Sequence, residues 1–168
     1  MRNLIESIIV NKGDNYFEFH SNSDNPVGHL KEQTNSVPKG PGIYLVFTQK
    51  EDVCEKCAHL NYEIEGIRSE LLYFGKAGGL TKNSGIIKQG LNGRINNVVS
   101  DSSRNLRDIR RANYWNIVMN EFGFEIWTII YHEHSNPQDI ENTFYNFLDI
   151  NNLKYPLLNK RRGKGRGR

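Results

Sequence analysis

Two tyrosines stand in similar short apolar runs: Tyr44 in Pro41-Gly42-Ile43-Tyr44-Leu45-Val46-Phe47, and Tyr73 in Leu71-Leu72-Tyr73-Phe74-Gly75-Lys76. Both runs are rich in β-prone residues, so neighbouring strands could bring the two phenols together on one surface. A phenol, with a pKa of about 10, is a poor base unless a nearby cation favours its anion. Lys76, three residues after Tyr73, could supply that field. Arg94, in Gly90-Leu91-Asn92-Gly93-Arg94-Ile95, carries a guanidinium that stays charged and forks to two oxygens, which suits a phosphate. Glu141 shares a helical side with Tyr145 and Leu148 and borders an apolar stripe of Ile140, Phe144 and Phe147. A carboxylate there could hold a hard divalent ion with waters and substrate oxygens. A base for water, a cation for phosphate and a metal for the leaving oxygen are what phosphodiester hydrolysis requires.

The elements that must position these groups are legible in outline. Leu4, Ile5, Ile8, Ile9 and Val10 suggest a short helix, and Tyr16, Phe17 and Phe19 a strand after it. Residues 21–41 are rich in Ser, Asn, Asp, Gly and Pro, which is loop composition. The first motif strand spans roughly 42–48. Between the two tyrosines lie 28 residues, more than a tight hairpin needs, so a charged insert over about 49–70 is expected. Ile86, Ile87, Leu91, Ile95 and Val98 fall at helical spacing over 85–99, and a second helix is expected over about 104–120 after Asp101-Ser102-Ser103. Phe124 to Tyr131 reads as a third strand. Asn136-Pro137 opens the last helix, with Asn as N-cap and Pro at the first helical position, running to about Ile150. The order strand, insert, strand, helix, helix, strand, helix predicts an α+β domain: a small three-stranded antiparallel sheet flanked by helices. Residues 1–37 are expected as an N-terminal arm, 38–159 as the domain, and 160–168 as a disordered basic tail.

Gly42-Ile43-Tyr44 and Tyr73-Phe74-Gly75 resemble the paired signature of the GIY-YIG nuclease family, with Phe in place of the second isoleucine. The resemblance covers roughly residues 38–159. It implies that Tyr44 activates or orients the attacking water with Tyr73 in support, and that Arg94 holds the scissile phosphate. It likewise gives Glu141 a single Mg²⁺ or Mn²⁺, and Asn159 in Pro156-Leu157-Leu158-Asn159 a supporting hydrogen-bond role. Tyr73-Phe74-Gly75-Lys76-Ala77 is similar to the version of the motif in repair incision nucleases, but here residues 78–90 are added before the arginine. The resemblance implies a metal-dependent DNA endonuclease acting on double-stranded DNA. A domain that fills the chain, with its own arm and insert, fits a type II restriction enzyme best, and such enzymes often act as homodimers on twofold sites. A repair or mobile-element nuclease, or a non-catalytic nucleic-acid-binding protein on the same fold, stays open.

Charge is unevenly distributed. Residues 160–168 hold six Lys or Arg and no acid, including Lys160, Arg161 and Arg162; removing them from the 22 basic residues leaves 16 against 19 acidic. Such a tail binds phosphates without reading sequence, or simply keeps the protein solvated. Arg104, Arg107, Arg110 and Arg111 share one side of the expected helix and could track a DNA backbone, though a solvated arginine face is as ordinary a reading. No run of about 18 apolar residues appears, so no membrane span is expected, and a cytoplasmic protein is the expectation. Cys54 and Cys57 with His59 invite a zinc reading, yet no second cysteine pair completes four ligands. Asp139 and Glu133 rival Glu141 as the metal carboxylate, and His132 and His134 flank Glu133 at a strand end.

Overall fold

The computed structural model describes residues 1–20, 34–49, 55–78, 89–99 and 126–159. Helix α1 is Arg2–Val10, strand β1 Tyr16–His20 and β2 Gly42–Gln49. A 3₁₀ helix at Glu55–Leu60 leads into β3 (Asn61–Ile64) and β4 (Ile67–Ala77). Helix α2 (Leu91–Val99), β5 (Ile126–Glu133) and helix α3 (Pro137–Ile150) complete the described elements. None of the described helices is long and apolar enough to cross a membrane.

Among the described residues the sheet has five strands, all antiparallel, in the order β1-β5-β2-β4-β3. This corrects the three-stranded expectation. The three expected strands form its centre, but an antiparallel sheet leaves unpaired N–H and C=O groups along each edge, and further chain satisfies both. On one side Tyr16–His20 pairs with β5. On the other, part of the expected insert folds back as β3 against the first residues of β4. Their two-residue turn, Glu65-Gly66, has both φ angles positive (52° and 80°), the twist that tight hairpins favour. A glutamate in that conformation is unusual, which is why the sequence pattern hid the turn.

Strand β2 is buried along seven of its eight residues, so it packs on both faces. That burial explains an apolar run where a one-sided strand would alternate. On one face Tyr44, Val46, Ile129 and Tyr131 pack with Leu91 and Ile95 of α2. On the other, Ile43, Leu45, Phe47, Phe74 and Ile130 meet α1 through Ile5, Ile8 and Ile9, and α3 through Phe144, Tyr145 and Leu148. Phe74 and Phe144 stack with centroids 4.2 Å apart. The N-terminal residues thus supply a helix and a strand to the same body. Helix α3 starts at Pro137 as expected, but Asn136 makes no side-chain cap. Its amide donates to the Asp139 carboxylate instead, and its backbone N–H to His134 Nδ1 at 3.0 Å.

Tyr62 of β3, 5 % exposed, packs edge-on to Phe47 and donates its hydroxyl to the His59 carbonyl at 3.1 Å. Burial pushes its phenol up to about 12, against a lowering influence from Arg2 and with a further raising one from Glu6. Because the fold favours the neutral phenol, this contribution to stability is intact below pH 10 and is lost as pH rises from 10 through 12. The full loss is about 3 kcal/mol. Tyr62→Phe should therefore flatten the stability curve over that window in urea titrations, while costing about 1 kcal/mol at neutral pH for the lost hydrogen bond.

Candidate functional site

The site is built on an irregularity in β4. Tyr44 lies opposite Gly75 and Val46 opposite Tyr73, but Phe47 lies opposite Leu71, so Leu72 is an extra residue bulged out of the ladder. Residues directly opposite one another share a face. The bulge therefore switches faces between Leu71, which points with Phe74 to the α1/α3 side, and Tyr73, which points with Tyr44 to the α2 side. Tyr73 sits diagonal to Tyr44, and their rings meet with centroids 5.6 Å apart and planes tilted by 33°. The space between them exists because residue 75 is glycine: a Cβ there would overlap the Tyr44 ring and the Tyr73 ring. Gly42 likewise lets the backbone of β2 close on the His132 carbonyl and Leu91. Tyr44 is 1 % exposed, and Tyr73 is half-buried.

A third phenol joins this face. Tyr131 lies opposite Tyr44 on β5 and is buried. Burial holds its pKa above the usual phenol value, a hydrogen bond with Ser36 works against that rise, and Asp14 adds to it. Its place beside Tyr44 is a matter of sheet register, for which the sequence held no signal.

Arg94 is half-buried in α2, whose Leu91 and Ile95 pack onto the tyrosine face. The helix start is tied to the chain before β2: Leu91 N donates to Gly40 O at 2.9 Å and Asn92 N to Pro38 O at 3.0 Å. The Asn92 side chain also donates to Thr34 O. Those amides are spoken for by carbonyls, so an anion on this helix would be held by the guanidinium.

Lys76 lies opposite Ile43 and so belongs to the other face of the sheet. Its Nζ is 3.6 Å from Glu141 Oε2 on α3, the side chains being 26 % and 19 % exposed. The charge expected to act on the phenols is thus directed at Glu141. At that distance and exposure the pair is worth less than about 1 kcal/mol, so it orients the carboxylate more than it stabilises the fold. Gln138 Nε2 also approaches Glu141 Oε2, at 3.5 Å.

Asn159 is buried and braces the strand between the two groups. Its Oδ1 accepts from Phe74 N at 2.8 Å, and its Nδ2 donates to Phe74 O at 2.9 Å. Next to it, Leu158 N donates to Leu72 O at 2.9 Å. The ladder between β3 and β4 stops at Glu70, and among the described residues it is 158–159 that take the place of a strand along the next part of the β4 edge.

The structure therefore brings Tyr44 together with Tyr73, and Lys76 with Glu141, on opposite faces of one stretch of β4, with Asn159 at its edge. Arg104, Arg107, Arg110 and Arg111, with the helix expected for them, lie outside the described residues, as do Lys160, Arg161, Arg162 and Cys54. Cys57 is half-buried in the 3₁₀ helix, and His59 Nε2 lies 2.9 Å from Lys154 O. Among the described residues no group of three or more His, Cys, Asp or Glu could hold a metal. Glu133 lies opposite Gly42, on the tyrosine face, and His132 opposite Ile43, on the Lys76 face. Asp139 is engaged by Asn136 in the first turn of α3. No protein-family model, curated protein or solved structure matches this chain.

Proposed function

We propose that the chain is a metal-dependent DNA endonuclease of the GIY-YIG type. The observation that carries this reading is the packing of Tyr44 and Tyr73 over Gly75, which unites three positions of the two sequence motifs in one piece of local geometry. Tyr44 takes or orients the proton of the attacking water, and Tyr73, half-exposed beside it, borders the route by which water and substrate arrive. Arg94, on the helix covering the same face, holds the phosphate.

Glu141 fits a single-carboxylate site for Mg²⁺ or Mn²⁺. It is a hard oxygen donor whose side chain is partly buried, Lys76 and Gln138 both address its Oε2, and among the described residues Oε1 accepts no hydrogen bond. When bound, such an ion would polarise the phosphate and stabilise the leaving oxygen. Lys76 holds the carboxylate in place from the adjacent strand. Substrate would approach across the β4 edge beyond Phe74, where the phenols flank one side and the Lys76–Glu141 pair the other. Site-specific, restriction-like cleavage by a homodimer is the finer form of this proposal.

A second reading, a non-catalytic nucleic-acid-binding protein, is favoured by one observation: the helix bearing Glu141 packs on the sheet face opposite the phenols. Incubation with plasmid and phage-genome DNA in Mg²⁺ separates the two. Discrete fragments, reduced at least about 100-fold in rate by Glu141→Gln, are the expected result for the nuclease. A metal-dependent smear would keep the nuclease and remove the restriction reading. DNA bound but left intact with Mg²⁺ and Mn²⁺ alike would sink the enzyme and leave the binding module.

A further inference from the structure

The edge of β4 at Phe74 carries a hydrogen-bond arrangement that extends beyond Asn159. Phe74 O accepts two donors, Asn159 Nδ2 at 2.9 Å and the Tyr145 hydroxyl at 3.2 Å. Asn159 Nδ2 also donates to the Tyr145 hydroxyl oxygen at 2.6 Å. One carbonyl, one amide and one phenol thus close a ring of hydrogen bonds, and Asn159 Oδ1 takes the N–H of the same residue 74. All three residues are buried. The Tyr145 ring is itself held, stacked on Tyr155 with centroids 5.4 Å apart and planes 19° from parallel. The carbonyl so gripped belongs to the residue between Tyr73 and Gly75, two residues after the bulged Leu72 that turns Tyr73 onto the face of Tyr44.

We propose that Tyr145 is a positioning residue for the Tyr44–Tyr73 pair. Its hydroxyl, with Asn159, fixes the Phe74 peptide and through it the direction of Tyr73 and the close approach of Gly75 to both rings. A bulge loosens a strand locally, and backbone groups on an exposed edge have no ladder to hold them. A phenol on a helix packed against the opposite face of the sheet supplies the restraint that a neighbouring strand would otherwise give. Tyr145 touches no reacting group in this scheme; it acts through the backbone of residue 74. Its catalytic consequence rests on the nuclease proposed above, whereas its hold on the strand does not.

Tyr145→Phe removes only the hydroxyl and leaves the stacked ring, so the variant should fold. Two measurements on the full chain test the proposal. Amide hydrogen exchange should accelerate at least about tenfold at residues 74 and 75, with the amides of α1 and α3 unchanged. Cleavage of plasmid DNA in Mg²⁺ should show kcat lowered about tenfold with KM unchanged, since mispositioning acts on the reacting geometry and not on DNA affinity. Wild-type exchange at 74 and 75 would overturn the proposal. So would faster exchange spread evenly through the core, which marks a merely structural residue, or an unchanged kcat in an active enzyme. Should the wild-type chain cleave nothing, the nuclease reading is what fails, and the exchange at residues 74 and 75 still decides whether Tyr145 holds the strand.

Discussion

Gly75→Ala should destabilise the protein by about 3 kcal/mol or more and separate the two phenols. Overpacking of a filled site commonly costs about 1–3 kcal/mol, and the upper end applies where the neighbours are rigid. Here a single methyl would meet the Tyr44 and Tyr73 rings together, and neither is the loose end of a flexible chain. Tyr44 is enclosed on its own face by Val46, Tyr131 and the α2 residues, so its ring has no space to retreat into. Only Tyr73, half-buried, can swing outward, and doing so breaks the pair. Urea denaturation would read the stability loss. The contrasting change is Gly93→Ala, where the atoms nearest the added methyl belong to the flexible Gln89 side chain and a helical position gains a better helix former. Its stability should shift by less than about 1 kcal/mol. A Gly75→Ala protein as stable as wild type would show that the two rings are not confined as described.

On the proposed nuclease reading, Tyr44→Phe should lower DNA cleavage by about 10²–10⁴-fold, the range associated with a lost general acid–base group, while leaving the fold intact. The phenyl ring keeps every apolar contact of the buried strand, so stability should change by about 1 kcal/mol or less. Single-turnover cleavage at saturating DNA in Mg²⁺ isolates the chemical step from binding. Tyr73→Phe, at the more exposed member of the pair, should cost about tenfold under the same conditions. Equal activity of Tyr44→Phe and wild type would remove Tyr44 from the chemistry and leave it as a core residue. Set beside Gly75→Ala, the two variants ask different questions. One removes an oxygen from an intact geometry; the other disturbs the geometry and keeps both oxygens.

The expected three strands are all present, and a strand was also expected at Tyr16–Phe19; what the sequence hid is that this strand joins the same sheet, and that β3 exists at all. Strands β2 and β5 and the start of α3 were legible because their signals are local: continuous β-branched and aromatic runs, and proline at the first helical turn. Strand β3 was hidden within a charged stretch, since its hairpin turns on Glu65-Gly66 in place of the usual Asn-Gly or Asp-Gly pair. That β1 would join β5 depends on chain more than a hundred residues away.

For the site, residue types and their order already name the groups available: two phenols in matching strands, a lysine after the second, an arginine on a helix, a carboxylate beside an apolar stripe and a late asparagine. Their residue types set what each can donate, accept or hold, and that much needs no fold. How they meet follows from the way the strands pair. A one-residue bulge at Leu72 turns Tyr73 toward Tyr44, although counting by twos from Leu71 would place it on the opposite face. The same alternation carries Lys76 away from the phenols to Glu141, 65 residues later in the chain. Asn159 reaches a peptide 85 residues before it because β3 ends its pairing at Glu70 and leaves an edge to be satisfied. Side-chain direction in a sheet follows register, and register is a property of paired strands; no single strand contains it.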